Sequence, residues 1–91
     1  METIVIDGAD ITTREALHSR LALCLGLRDY YGRNLDALYD CLTERQTDTR
    51  LEVRHISALE AALGGYAGAL LDTLRDAAGE NPRLEVEFFR E

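Results

Sequence analysis

The sequence predicts an α/β domain, a three-stranded parallel sheet packed with four helices in the order β-αα-β-αα-β. Three short runs carry strand signatures: Thr3-Ile4-Val5-Ile6, Leu51-Glu52-Val53-Arg54-His55-Ile56 and Leu84-Glu85-Val86-Glu87-Phe88. Between them lie two stretches with leucines at helical spacing. Strands joined through helical crossovers usually lie parallel in one sheet, with right-handed connections. The third observation is size. The 91 residues read as one domain, residues 1–91, with no linker or low-complexity segment. A chain of this length buries somewhat over ~60% of its unfolded surface, enough for one modest core.

Each element has its own local cause. Thr3-Ile4-Val5-Ile6 is short, apolar and rich in β-branched residues, and Asp7-Gly8 closes it. That predicts a buried strand and a turn. Thr12 with Glu15 three residues on predicts a capping box. Leu17, Leu21, Cys24 and Leu25 then fall on one helix face, and Gly26 fits a C-terminal stop. Asn34 suits the N-cap of a second helix, whose buried face carries Leu35, Leu38 and Leu42. The polar stretch Glu44 to Thr49 reads as a loop.

Leu51 to Ile56 alternates, so it reads as a strand with one wet face. Ser57 and Glu60 make a second capping box, and the short helix after it ends at Gly64-Gly65. Leu70, Leu71, Leu74, Ala77 and Ala78 define a fourth helix stopped by Gly79. Asn81-Pro82 marks a break, and Leu84 to Phe88 alternates as the last strand.

Composition narrows the function classes. The net charge of -7 repels DNA, RNA and anionic membrane and attracts cationic proteins. No apolar run approaches membrane-spanning length, and no signal peptide is visible, so a cytoplasmic location is expected. Cys24 and Cys41 have no metal or redox spacing and read as reduced thiols in helix cores. The apolar fraction of 46% and the single proline fit an ordered domain.

The most informative stretch runs from Tyr30-Tyr31-Gly32-Arg33-Asn34 into Leu35-Asp36-Ala37-Leu38-Tyr39-Asp40-Cys41-Leu42-Thr43. On a helix, Asp36 and Asp40 stack on one face with Tyr39 beside them, opposite the leucines. Such a surface is either a solvated polar face or a docking surface for a basic pocket. Two features favour docking. Asp40 lies near the helix C-terminus, where the macrodipole disfavours an anion. Tyr39 is an aromatic of the kind enriched at binding interfaces.

A catalytic or metal-binding role for the two aspartates lacks partners. His18 follows core Leu17 and reads as a solvated helix residue, while His55 reads as a structural strand residue. Asp7 and Asp10 read as turn and cap residues rather than magnesium ligands. Gly64-Gly65-Tyr66-Ala67-Gly68 follows a helix and lacks the lysine of a phosphate loop. The arginines form no basic patch for nucleic acid.

The run from Tyr30 to Thr43 resembles the signature of the barstar family, intracellular inhibitors of the secreted bacterial ribonuclease barnase. The opening strand with Gly8, Leu17-His18 and Leu74-Arg75-Asp76-Ala77 fall at similar spacing, so the resemblance covers nearly the whole chain. It implies a bacterial immunity protein that is not an enzyme and needs no cofactor. It implies a monomer that forms a 1:1 complex with a barnase-type, guanyl-preferring ribonuclease or a ribonuclease-toxin domain. The second helix and the loop before it would plug the active site.

By this resemblance Asp40 anchors at the site of substrate phosphate, and Asp36 meets a second basic group. Tyr30 packs against the active-site histidine, Gly32 allows close backbone approach, and Asn34 caps the helix at the contact. Tyr39, Thr43 and Glu44 extend the surface, and Asp76 adds an acidic contact from the fourth helix. Three positions depart from the family prototype. Tyr39 replaces tryptophan, and Glu44 and Arg45 replace glycine and tryptophan at the rim, where Arg45 is expected to turn a positive charge toward a basic enzyme. These departures motivate a rival reading, an adaptor of the same fold that binds another basic protein.

Overall fold

The computed structural model describes residues 1–27 and 31–91. Strand β1 spans Glu2–Asp7, helix α1 Arg14–Leu25, helix α2 Leu35–Thr43 and strand β2 Thr49–Arg54. Helix α3 follows at Ile56–Leu63, helix α4 at Gly65–Glu80 and strand β3 at Leu84–Phe88. The three strands form one parallel sheet in the order β1-β2-β3. The register sets Ile4 beside Leu51 and Ile6 beside Val53, then Leu51 beside Val86 and Val53 beside Phe88.

The parallel order β1-β2-β3 makes both crossovers advance in the same direction, and the right-handed rule for such connections then sets both helix pairs on one face of the sheet. The burial pattern agrees. Ile4, Ile6, Leu51, Val53 and Leu84 are buried with Leu17, Leu21, Leu38, Leu42, Leu59, Leu70 and Leu74. The other face is wet. There Glu52 pairs with Arg50 at 3.0 Å and with Arg54 at 2.9 Å, and Arg50 also meets Glu87. The first strand, expected to be buried, is therefore an edge strand covered on one side only: Val5 is 45% exposed.

Several boundaries differ from expectation. The cap of α1 is Thr13, whose hydroxyl accepts from the Ala16 amide at 3.0 Å. Burial of Ile11 delays the helix start by one residue, so Thr12 and Glu15 form no capping box. The second strand begins and ends two residues earlier than its alternation suggested. Thr49 is fully buried within it, and His55 turns the chain in a left-handed conformation (φ 53°) straight into α3. Ser57 and Glu60 form no box either. Instead the Ile56 amide, an orphan of the first turn, donates to the Phe89 carbonyl at 3.1 Å. Gly79 does not stop α4, which runs on to Glu80 and ends at Asn81.

Just after β1, a 3₁₀ turn at Gly8–Asp10 passes close under α3. A Cβ on Gly8 would lie 2.5 Å from the His55 carbonyl oxygen and 2.9 Å from both the Arg54 oxygen and the Leu59 Cβ. Glycine is required here for room. Asp7 secures the same corner by accepting from the Ala9 amide at 2.9 Å and pairing with His55 Nδ1 at 2.7 Å.

Candidate functional site

The loop before α2 is built around Asn34. Its Oδ1 accepts from the Ala37 amide at 2.8 Å, and its Nδ2 donates to the Gly32 carbonyl at 3.2 Å. One side chain thus caps the helix and fixes the loop that enters it. Arg33 adopts a left-handed conformation (φ 54°) and donates to the Ser19 hydroxyl at 2.8 Å. Gly32 is exposed, with space for a Cβ limited to 3.3 Å by Ala37 and Asn34. Tyr30, the expected partner of an active-site histidine, lies outside the described residues.

On α2, Leu38 and Leu42 are fully buried while Asp36 and Asp40 are exposed. The helix is amphipathic as its spacing required, with Leu35 and Cys41 partly buried at the edge of the core. It packs against α4, which brings Asp76 and Glu80 to the same surface. The phenol of half-buried Tyr39 records this convergence. Its pKa is raised by burial first, then by the carboxylates of Glu80, Asp76 and Asp40. The two helices therefore present one acidic surface around a tyrosine. Asp76 was foreseen, but Glu80 was not, because no local signal distinguishes it from other solvated residues on α4.

The C-terminus of α2 is finished from three sides. The Thr43 hydroxyl donates to the Tyr39 carbonyl at 2.9 Å and the Asp40 carbonyl at 3.1 Å. The Glu44 amide closes on the Asp40 carbonyl, and the exposed Glu44 side chain lies at the end of the acidic face. Buried Asn81 donates to the carbonyls of Leu42 at 2.8 Å and Arg45 at 3.0 Å. The break expected at Asn81 is present, since α4 ends there, and the same residue is a clamp joining the end of α4 to the end of α2.

Arg45 corrects a second expectation, since its charge does not face outward. The guanidinium donates to the Leu25 carbonyl at 2.8 Å, to Thr49 Oγ1 at 2.7 Å and to Glu2 at 2.6 Å. Its side chain is only 16% exposed. It satisfies an orphan carbonyl at the end of α1 and ties that end to both β1 and β2.

His18 is the third correction. It is 2% exposed, and both ring nitrogens are engaged. Nδ1 meets the Tyr31 hydroxyl at 2.5 Å, and Nε2 meets the Tyr66 hydroxyl at 2.7 Å. The triad ties α1, the loop before α2 and α4 together behind the acidic surface. Burial, helped by the nearby Arg33 charge, lowers the His18 pKa, while Glu15 opposes it weakly. Neutral imidazole offers one donor and one acceptor, which two hydroxyls can match. A signal existed: Leu21 and Leu25 lie three and seven residues after His18, on its own face of α1. Its tyrosine partners, remote in sequence, could not be read.

The two cysteines are free and partly buried. Burial raises the Cys41 thiol pKa, with Glu44 and Asp40 adding to the effect, so the thiol is a poor nucleophile. Among the described residues, no three His, Cys, Asp or Glu side chains gather as a metal site. No helix among them is long and apolar enough to cross a membrane.

Known proteins resemble this chain along nearly its whole length. A family model described as "Barstar (barnase inhibitor)" matches residues 1–90. A Bacillus subtilis (strain 168) protein named "Putative ribonuclease inhibitor YrdF" is 41% identical over 89 residues, covering 97% of this chain and 94% of that protein.

Proposed function

The chain belongs to the barstar family, and from that premise we propose that it is a stoichiometric inhibitor of a barnase-type, guanyl-preferring ribonuclease. The observation that carries the reading is the convergence of Asp40, Asp76 and Glu80 on Tyr39, on a helix whose N-terminus Asn34 holds fixed. A ribonuclease binds the phosphate of its substrate with cationic side chains. Asp40 offers a carboxylate to the same groups, and arginine can take it in a bidentate pair. Asp36, one turn earlier on the exposed side, meets a second cation. Asp76 extends the contact from α4.

Inhibition on this reading is occupancy. No bond is made or broken, and no cofactor is required. The inhibitor acts as a monomer in a 1:1 complex inside the producing cell. Rigidity is what the scaffold supplies: a capped and clamped α2 spends little ordering entropy on binding. The inward turn of Arg45 removes one of the three departures that had motivated a different partner.

The test is a titration of the protein into active barnase, following RNA cleavage, with Asp40→Ala alongside. We expect activity to fall linearly to zero at one equivalent, with the variant shifted to far higher concentration. Undiminished cleavage at micromolar inhibitor would refute a barnase-type target.

A further inference from the structure

Beside the acidic surface lies a cavity of about 440 Å³ lined by Arg14, Arg33, Tyr66, Asn34 and Asp36. Arg14 opens α1, and Arg33 belongs to the loop before α2. The Arg14 guanidinium carbon sits over the Tyr66 ring, 4.2 Å from its centroid. Arg33 gives one N–H to Ser19 and retains the rest of its donor fork. Glu15 also lines the cavity. Among the described residues, neither arginine is within ion-pair distance of Glu15, Asp36 or any other carboxylate.

Resting on the inhibitor reading, we propose that this cavity receives an aspartate or glutamate from the rim of the ribonuclease active site. Arg33 and Arg14 are the residues that select for it. The argument is charge complementarity. A chain of net charge -7 sets two arginines beside Asp36, at the edge of the surface it offers to a cation-rich enzyme. Arginines there repel a uniformly basic partner. They attract one that carries a carboxylate at that edge, which the planar guanidinium fork can bind through two parallel hydrogen bonds. Glu15 and Asp36 also line the cavity, and among the described residues neither pairs with an arginine, so the guanidinium donors face an incoming carboxylate. An acidic main contact with a basic subsite at one end also fixes orientation, because a partner docked the wrong way round brings like charges together.

The experiment compares inhibition of barnase by the unaltered protein and by Arg33→Glu, Arg14→Glu and Asp40→Ala. Glutamate meets the same left-handed backbone cost at position 33 as arginine, and thermal melts report whether each variant folds. General electrostatics predicts that a more acidic inhibitor binds a basic enzyme faster and more tightly. The cavity predicts the opposite sign: Arg33→Glu binds about tenfold or more weakly, the scale of one lost charge-assisted hydrogen bond. Double-mutant cycles against barnase variants, with each rim Asp or Glu changed to its amide, then locate the carboxylate that couples to Arg33 or Arg14. Unchanged or tighter binding by both charge-reversal variants, with inhibition still lost in Asp40→Ala, overturns the cavity and leaves the inhibitor reading standing. If the unaltered protein does not inhibit barnase at all, both fall together.

Discussion

His18 Nδ1 lies 2.5 Å from the Tyr31 hydroxyl, and the opposite ring nitrogen lies 2.7 Å from the hydroxyl of Tyr66. One buried imidazole therefore holds the loop that enters α2 against α4. Replacing His18 with Leu leaves two hydroxyls in or near the core without this partner. Each unsatisfied group costs about 1–3 kcal/mol. For a domain of this size, a loss of 1 kcal/mol lowers Tm by roughly 4–8 °C. A thermal melt of His18→Leu within a degree of the unaltered protein contradicts the role assigned here.

The same residue makes stability depend on pH. Folding lowers the His18 pKa, chiefly through burial and then through the Arg33 charge, against a weak opposing pull from Glu15. The native state therefore binds fewer protons than the unfolded state. The contribution is complete above the unfolded value of about 6.5 and is lost as pH falls from there through the lowered native value. Asp7, Glu52 and Glu60 also have lowered pKa values, and their contributions fade at more acid pH, below the ordinary carboxylate range. Urea midpoints should be flat from pH 8 to 7 and decline below 6.5. His18→Gln should flatten that first decline and retain the later one.

Gly8 should tolerate no side chain. A Cβ there meets two backbone oxygens and the Leu59 Cβ at 2.9 Å or less, and backbone atoms cannot swing aside as a long side chain can. Gly8→Ala is expected to cost at least about 1–3 kcal/mol through overpacking at the β1–α3 corner. Chemical denaturation measures this directly. An undiminished midpoint shows that the corner yields more easily than its geometry implies.

Much of this fold is legible in the chain, because each helix and strand follows a local period that the core then uses. Leu38 and Leu42 are buried and Asp36 and Asp40 exposed, as their spacing requires. What was not legible depends on residues distant in sequence. The inward Arg45, the clamp at Asn81 and the buried His18 are each defined by partners more than ten residues away. Polarity alone sends such residues to the surface. The boundaries at Thr13 and His55 failed for a related reason: burial of Ile11 and Ile56 displaced the nearest good cap.

Arg45 and Asp40 should separate stability from binding. Arg45→Ala strands the Leu25 carbonyl and frees Glu2, which is expected to cost about 1.5–3 kcal/mol, the range for hydrogen bonds from a charged group. Its guanidinium is taken up by Leu25, Thr49 and Glu2, so dissociation of the barnase complex should not change, and the lost positive charge acts on association alone. Stopped-flow dissociation, with denaturation of the same variant, checks both halves. A changed dissociation rate without lost stability would return Arg45 to the rim.

The sharpest contrast is between Asp40 and Asp72. Both are exposed aspartates on helices. Asp72 lies one turn before Asp76 on α4, is not among the carboxylates that act on Tyr39, and pairs with its own neighbour, Arg75, at 3.2 Å. Asp40 stands on α2 among the carboxylates around Tyr39. Removing either changes net charge by the same amount, so long-range steering alone predicts similar slowing of association by both, screened alike by salt. Anchoring predicts more for Asp40. If its carboxylate replaces phosphate among the ribonuclease cations, Asp40→Ala leaves those cations buried and unpaired, and dissociation accelerates. Asp72→Ala should leave dissociation unchanged. Measured side by side against barnase, equal dissociation rates for the two variants would reduce Asp40 from anchor to one charge among many.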